Sequence, residues 1–138
     1  MGYRSEVAVR VVGDAKKVAA LRDTMLLKYR DSQDSGYLWL TQGLFNEDGD
    51  NPCAEHRVNM DGTEEYLSEF HDIKWYTDCQ NWYDTLKKLA ESVGVAVELM
   101  RAGEESGDVE HDYADNIDDY GGTILSTSTK IEVFRVVN

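Results

Sequence analysis

The sequence predicts an α+β fold in which two helices cover one face of an antiparallel sheet. Short segments alternate between apolar and polar residues, as half-buried strands do. Two longer segments instead carry apolar residues at helical spacing. The 138 residues are 41% hydrophobic and include three Trp and eight Tyr, although the formal charge is −13. Disordered chains are poor in aromatic residues, so we expect one folded α+β domain over residues 1–138.

The first two predicted elements are a strand and a helix. In SEVAVRVVG, Val7, Val9 and Val11 fall on one face, which is typical of a strand. Asp14 follows, and its carboxylate can cap a helix by accepting hydrogen bonds from the free backbone N–H groups of the first turn. The helix continues through residues at helical spacing, namely Val18, Leu21, Met25, Leu26 and Tyr29.

A hairpin is predicted in the middle of the chain, after an insertion over residues 36–52. Within that insertion, YLWLTQGLF is rich in strand-forming residues but could be a short helix, and NEDGDNP has the composition of a loop. Asp61 and Gly62 then lie between two plausible strands. This dipeptide predicts a hairpin with a two-residue turn.

The second strand of this hairpin changes its apolar parity. Tyr66 and Phe70 share one parity, whereas Ile73 and Trp75 share the other. Alternation in a strand places every second side chain on the same face, so an extra residue is needed to bring all four together. We therefore predict a bulge at His71-Asp72.

A second helix and a further strand follow. Asp78 is predicted to cap the helix, and Gly94 is placed to end it. VAVELMR then predicts a strand, with Val95, Val97 and Leu99 on one side. The helix has a wide apolar stripe, made of Trp82, Tyr83, Leu86, Leu89, Ala90 and Val93.

The order of these elements corresponds to the βαββαβ layout of the ferredoxin-like class. Residues 104–122 would form an acidic insertion on this core. The β-branched segment TILSTSTKIEVFRVV would add a C-terminal strand.

Charge and composition narrow the possible functions. The excess of carboxylates argues against direct binding to nucleic acid or to an anionic membrane, and favours a basic partner, a cation or plain solubility. No apolar run reaches the length of a membrane span, and the first residues do not resemble a signal peptide. Two cysteines make no disulfide framework. We therefore expect a cytoplasmic protein.

Three motifs resemble a family of small, mostly uncharacterised proteins of tailed bacteriophages and prophages. Its members begin with Met-Gly-Tyr-Arg-Ser, an acidic residue and Val, which matches residues 1–7 here. They also share the Lys-Trp-Tyr step at residues 74–76 and the Gly-Glu step at residues 103–104. The resemblance covers about half of the chain and excludes residues 36–52. It implies a phage origin and the cytoplasm of an infected bacterial host, and it implies no catalytic activity.

The segment GDVEHDYADNIDDYGG, residues 107–122, is the predicted partner-binding site. Carboxylates on a rigid scaffold can imitate DNA phosphates and occupy the basic groove of a nucleic-acid-handling defence enzyme, such as a restriction or CRISPR effector. Tyrosines would add contact area at low entropic cost. The alternative is a solvated loop that binds nothing. The predicted residues are Asp108, Glu110, Asp112, Tyr113, Asp115, Asp118, Asp119 and Tyr120.

Metal sites and catalytic groups are weaker candidates. Residues 46–51 and 108–119 are rich in oxygen ligands but lack the order of a calcium-binding EF-hand loop. A zinc site would need the convergence of Cys53, His56, His71 and Cys79, whose spacing matches no standard motif. His71-Asp72 is the one tempting catalytic pair, and it could cooperate only if the predicted bulge redirects one side chain.

The leading hypothesis is therefore a non-enzymatic inhibitor without a cofactor that binds a basic host protein. A second hypothesis is a phage assembly domain that dimerises or oligomerises through sheet edges or through an aromatic patch around Trp75, Tyr76, Trp82 and Tyr83. A third is a metal-binding protein or a small hydrolase.

Overall fold

Residues 4–30, 35–45, 54–105, 107–114 and 116–117 are described by a computed structural model of the chain. These residues form three helices and five strands. In chain order the elements are β1 (Ser5–Asp14), α1 (Ala15–Arg30), α2 (Ser35–Phe45), β2 (Ala54–Val58), β3 (Thr63–Ile73), α3 (Thr77–Val93), β4 (Ala96–Gly103) and β5 (Val109–Tyr113). No helix among them is long and apolar enough to cross a membrane.

The strands form one antiparallel sheet in the order β2-β3-β1-β4-β5. β1 lies at its centre, between β3 and β4. This arrangement confirms the predicted α+β class and is consistent with a ferredoxin-like core to which β5 is added beside β4. The acidic segment predicted as an insertion thus contributes a strand, while the predicted C-terminal strand lies outside the described residues.

Three helices, rather than the predicted two, contribute to the main core on one face of the sheet. Val7, Val9 and Val11 are buried there with residues of α1, α2 and α3. The strand alternative for YLWLTQGLF is wrong, because Leu40 and Leu44 follow helical spacing and are both buried. Burying these apolar stripes against the sheet supplies the main stabilisation of the fold.

Trp82 anchors this core at its centre. Its side chain is fully buried, and the indole Nε1–H donates a hydrogen bond of 2.9 Å to the Thr41 hydroxyl. The bond links α3 to α2 and satisfies a polar group that would otherwise be costly to bury. Trp82 therefore fixes the position of α3, whose first turn borders the site described below.

The opposite face of the sheet combines apolar and charged residues. Ala8, Leu67, Met100 and Ala102 form a small buried cluster there. The chain also places Arg10 on this face, one residue away from the apolar-facing Val9 and Val11, because successive side chains in a strand alternate.

Arg10 lies between two buried carboxylates. Its Nε donates to the Glu65 carboxylate, and its Nη1 lies 3.8 Å from Glu98 Oε1. Glu98 also has His111 as a neighbour, with 2.5 Å between its Oε2 and the imidazole Nε2. Buried charges require such partners, since an isolated carboxylate loses its hydration without compensation.

The β2–β3 hairpin is present, but its predicted two-residue turn is wrong. Residues 59–62 form a longer loop, closed by a 2.9 Å hydrogen bond from Asn59 N to Thr63 O. Gly62 adopts φ 89°, which a glycine accommodates without strain. Asp61 accepts hydrogen bonds from the hydroxyl and the backbone N–H of Thr63, which lower the pKa of its carboxyl.

The predicted bulge in β3 is confirmed. Ser5 of β1 lies opposite Ile73, whereas Val7 lies opposite Phe70, so β3 has one extra residue between these pairs. Asp72 has a φ of 54°, in the left-handed region that non-glycine residues rarely adopt. The bulge returns Ile73 to the face occupied by Phe70, and both contact the main core.

The predicted cap of α3 is wrong, while its predicted end is confirmed. Tyr76 occupies the N-cap position without a side-chain hydrogen bond, and Asp78 lies in the first turn. There its charge still complements the positive end of the helix dipole. At the other end Gly94 adopts φ 79° and closes the helix through hydrogen bonds to the carbonyls of Ala90 and Glu91.

Candidate functional site

The structure describes four of the eight residues predicted to bind a partner. Asp108 lies in the β4–β5 turn, and the other three, Glu110, Asp112 and Tyr113, lie on β5. The remaining predicted residues lie outside the described residues; they are Asp115, Asp118, Asp119 and Tyr120.

Arg101 holds the first two of these carboxylates. Its Nη2 donates to Asp108 Oδ1 at 2.7 Å and to Glu110 Oε1 at 2.8 Å. Its Nη1 donates to Asp108 Oδ2 at 3.3 Å and to Ser5 Oγ at 3.0 Å. Burial by itself would lower the pKa of Arg101, but these carboxylates raise it above its usual value. The guanidinium therefore remains charged and ties the β4–β5 turn to β1.

Asp112 is also bound within the chain. The Tyr83 hydroxyl donates to Asp112 Oδ2 at 2.8 Å, and Lys87 Nζ lies 3.0 Å from the same oxygen. Burial, together with this carboxylate, raises the pKa of Tyr83 far above its usual value. Asp112 thus fastens β5 to α3. The neighbouring Tyr113 is half exposed, and its ring lies 5.0 Å from that of His111.

Asp108, Glu110 and Asp112 differ in how much of each carboxylate is left for a partner, because all three form ion pairs within the chain. The ion partners Arg101 and Lys87 come from β4 and α3, so a linear pattern of acidic residues could not reveal them. Glu110 retains the greatest exposure among the three acidic side chains, at 55%. Its Oε2 has no hydrogen-bond partner in the part of the chain that the structure describes. Glu110 is therefore the described carboxylate of this stretch that is best placed to meet a ligand.

Further carboxylates lie at the same end of the sheet as Glu110, on more than one of its faces. β1 begins where β3 and β4 end, and α3 starts beside them. Among the described residues of this region, seven carboxylates accompany three permanently charged cations, a balance of −4. We call this region the acidic end. Its carboxylates belong to Glu6, Asp72, Asp78, Glu104, Glu105, Asp108 and Glu110, and its cations to Arg4, Lys74 and Arg101.

Hydrogen bonds order part of the acidic end. Arg4 donates from its backbone N–H to Glu104 Oε1 at 2.8 Å and from its guanidinium to the Asp72 carbonyl at 3.1 Å. His71 Nδ1 contacts the Glu6 carboxylate, and Asp72 N donates to Glu6 Oε1 at 3.3 Å. The bulge therefore directs His71 to Glu6, so the suggested pairing of His71 with the Asp72 side chain is not formed.

An open cleft of about 550 Å³ lies at the acidic end. Its aromatic side consists of Trp75 and Tyr76, immediately before α3, and its polar side includes Arg101 with its two carboxylates. The full lining comprises Trp75, Tyr76, Thr77, Gln80, Arg101, Asp108 and Glu110.

The aromatic side of the cleft is held in place by the core. Trp75 Nε1 donates to Gln80 Oε1 at 3.3 Å, and its ring makes an edge contact with Trp82 at 6.4 Å between centroids. Tyr76 is 51% exposed. The sequence indicates these aromatic residues only as a possible interaction patch, because their spacing does not distinguish a cleft wall from a core residue. The Lys-Trp-Tyr step before a helix was the available signal.

A second cavity of about 340 Å³ shares Tyr76 with the first. Its lining is mostly apolar and includes Trp39, which is 55% exposed. Cys79 contributes a half-buried thiol whose Sγ lies 3.6 Å from the Lys74 carbonyl. Tyr76 therefore borders both a mostly apolar pocket and a polar cleft.

The described members of the suggested zinc set have separate partners. His56 stacks on Tyr66 and lies 3.3 Å from Glu64, while His71 contacts Glu6. Cys53 lies outside the described residues. Within the described ranges, no group of three or more His, Cys, Asp or Glu side chains is arranged to hold a metal ion.

Comparison of the chain with protein-family models, with curated proteins and with solved structures finds no match. The geometry of the acidic end is therefore the basis for a functional proposal.

Proposed function

We propose that this protein is a non-enzymatic binding protein whose acidic end docks on a basic surface of another protein. The observation that carries the proposal is the excess of carboxylates at the end of the sheet that holds an open cleft, two of which, Asp108 and Glu110, line the cleft together with Trp75 and Tyr76. Aromatic side chains supply contact area in protein interfaces, and the surrounding charges select a partner of opposite sign. The net charge of −13 favours the same class of partner.

Long-range attraction would guide this encounter. An acidic surface raises the association rate with a basic partner, and added salt weakens that effect because exposed charges are screened beyond about 8 Å at physiological ionic strength. The same physics governs the binding of DNA to basic grooves. We propose nucleic-acid-handling enzymes of a bacterial host as the partner class, with restriction and CRISPR effectors as the first candidates.

The surface that we propose as the DNA mimic differs from the one predicted from the sequence. Asp108 and Asp112 have cationic partners within the chain, which makes a free row of phosphate-like charges along β5 a poorer description. The proposed surface is instead the acidic end, to which several elements contribute. Its exposed carboxylates include Glu110 from β5 and Glu104 and Glu105 from the turn after β4.

Two triple variants with the same change in charge test this proposal. The first, Glu104→Gln/Glu105→Gln/Glu110→Gln, neutralises the acidic end. The second, Asp23→Asn/Asp84→Asn/Glu91→Gln, neutralises exposed carboxylates on α1 and α3. Each immobilised protein is used to capture partners from a bacterial host lysate at 50 mM and 500 mM salt. A captured enzyme is then purified and its affinity is measured directly.

The proposal requires three results together. Capture should decline at high salt, the acidic-end variant should bind the purified partner about tenfold or more weakly, and the matched variant should stay within about threefold of the wild type. Duplex DNA should also compete with the protein for the partner. Equal weakening by both variants, or binding that salt does not affect, would rule out docking through the acidic end.

Self-association is a second candidate because two large aromatic side chains are exposed near the second cavity. Trp39 and Tyr76 are each about half exposed, and both line that cavity. Exposed apolar surface of this kind is typical of protein interfaces. Sedimentation over a hundredfold dilution series distinguishes the candidates: a change in mass that Trp39→Ser abolishes supports an assembly role.

A further inference from the structure

We infer that the 550 Å³ cleft holds the guanidinium group of a single arginine side chain supplied by the partner. This inference rests on the proposed function and deepens it, because it names the group that the acidic end recognises. It combines the charge of one side of the cleft with the aromatic rings on the other.

The charge of the cleft favours a cation. Asp108 and Glu110 oppose only Arg101 within the lining, which leaves one negative charge in excess. The Arg101 nitrogens already donate to Ser5 and to both carboxylates. An anionic ligand would have to displace these bonds and would meet Glu110. A cation can instead bind Glu110 Oε2 without disturbing them.

The aromatic rings favour a guanidinium over a compact ammonium. Trp75 and Tyr76 line the same cleft as the two carboxylates. A planar guanidinium can stack on an aromatic face while its N–H groups donate to a carboxylate in the same plane. A lysine ammonium is more strongly hydrated and forms no comparable planar stack, so we expect it to bind less tightly.

The cleft is also organised before a ligand arrives. Arg101 is only 9% exposed and fixes the positions of Asp108 and Glu110. Trp75, which also lines the cleft, is held by its hydrogen bond to Gln80. Binding would therefore order few protein side chains, which lowers the entropic cost of association.

Nuclear magnetic resonance titration of the full chain tests the inference. The probes are Nα-acetyl-arginine amide, the lysine analogue and the citrulline analogue, which is nearly isosteric with arginine but uncharged. We expect saturable shifts at the Trp75 indole N–H and the Glu110 amide with the arginine probe. Affinity should be at least about threefold lower for lysine, and citrulline should give no saturable shift at these two sites.

Variants locate the binding site. Glu110→Gln should weaken the arginine probe by about fivefold, a difference near 1 kcal/mol, while Glu91→Gln on α3 should change its affinity by less than about twofold. Trp75→Phe should weaken the probe while retaining a smaller aromatic face. Unchanged signals elsewhere in each variant show that the fold is intact.

Two outcomes would overturn the inference. One is equal binding of arginine and citrulline, and the other is a response to arginine that Glu110→Gln leaves unchanged. A different result would contradict only the proposed function. In that case the arginine probe binds the cleft, but the acidic-end triple variant binds the purified partner as tightly as the wild type does. Conversely, the triple variant could bind the partner weakly while the arginine probe fails to bind the cleft. That result would support docking through the acidic end and would rule out arginine as the group that the cleft binds.

Discussion

Two arginine–carboxylate clusters of the described residues lie in very different surroundings. On the sheet face away from the helices, Arg10 is 2% exposed, and its neighbours Glu65 and Glu98 are 7% and 0% exposed. At the acidic end, Arg101 is also nearly buried, but Asp108 and Glu110 are 33% and 55% exposed. The cluster around Arg10 is therefore buried on the sheet, whereas the cluster around Arg101 borders an open cleft.

This difference in exposure separates a structural role from a binding role. The carboxylates beside Arg10 have little water to replace a lost partner, so the fold depends on their ion pairs. Glu110 reaches solvent, which supports its charge whether or not a ligand is present. Exposure of the carboxylate, rather than its presence in an acidic segment, thus identifies the group available for recognition.

The Arg10→Leu variant should show the largest effect. It removes the guanidinium between Glu65 and Glu98, which leaves Glu65 with the half-exposed Arg57 at 3.6 Å and Glu98 with His111, and loss of one partner from a buried ion pair costs about 3–5 kcal/mol. We expect the free energy of unfolding in urea to fall by that amount at pH 7. A loss below about 1 kcal/mol would show that water reaches these carboxylates and would remove the proposed contrast.

Arg101→Leu should be less damaging, although Arg101 is similarly buried. Its carboxylates can be hydrated after the substitution, so we expect a loss of about 1–2 kcal/mol. Urea unfolding of this variant alongside Arg10→Leu measures the contrast directly. If the two variants lose equal stability, exposure does not distinguish the clusters.

Tyr83→Phe tests the link between β5 and α3. It removes the hydroxyl that donates to Asp112, for an expected loss of about 1 kcal/mol at pH 7. The matched control Tyr113→Phe alters a half-exposed tyrosine on β5, next to Asp112, and should change stability by less than about 0.5 kcal/mol.

The raised pKa of Tyr83 also predicts a pH dependence. Above pH 10 the unfolded chain releases the phenolic proton while the folded chain retains it, so the contribution of Tyr83 is present below that pH and is lost as pH rises. The stability advantage of the wild type over Tyr83→Phe should therefore shrink by about 1 kcal/mol for each pH unit above about 10. Urea unfolding at pH 9, 10 and 11 measures it. A constant difference would contradict the inferred burial of the phenol.

The core elements could be predicted because they depend on local periodicity. Val7, Val9 and Val11 signal β1 directly, and the bulge follows from the change in parity between Phe70 and Ile73. The cap of α3 was predicted incorrectly because Asp78 has the preferred chemistry for a cap, whereas the helix begins at Thr77 and the extended Tyr76 occupies the N-cap position. The tertiary structure, rather than the local preference of the residue type, determines which residue is the N-cap.

β5 and the cleft depend on pairing between distant segments. Residues 109–113 lack strand alternation of apolar residues, and their pairing with β4 depends on Arg101 and Tyr83, which bind the carboxylates of β5. Nothing in the linear order of acidic residues shows which of them meets a cation. The sequence therefore predicted equivalent roles for Asp108, Asp112 and Glu110, although Glu110 is the most exposed of the three in the structure.

Glu110→Gln should have the smallest effect on stability and the most informative effect on binding. The amide oxygen can still accept the Arg101 hydrogen bond, so we expect the free energy of unfolding to change by less than about 0.5 kcal/mol. Loss of the exposed charge should nevertheless weaken a basic partner, most clearly at low salt, where attraction is least screened. Unfolding in urea and partner titrations at 50 mM and 500 mM salt measure the two effects on one variant. A stability loss as large as that of Arg101→Leu would make Glu110 a structural residue, because binding could then weaken through disorder of β5 alone.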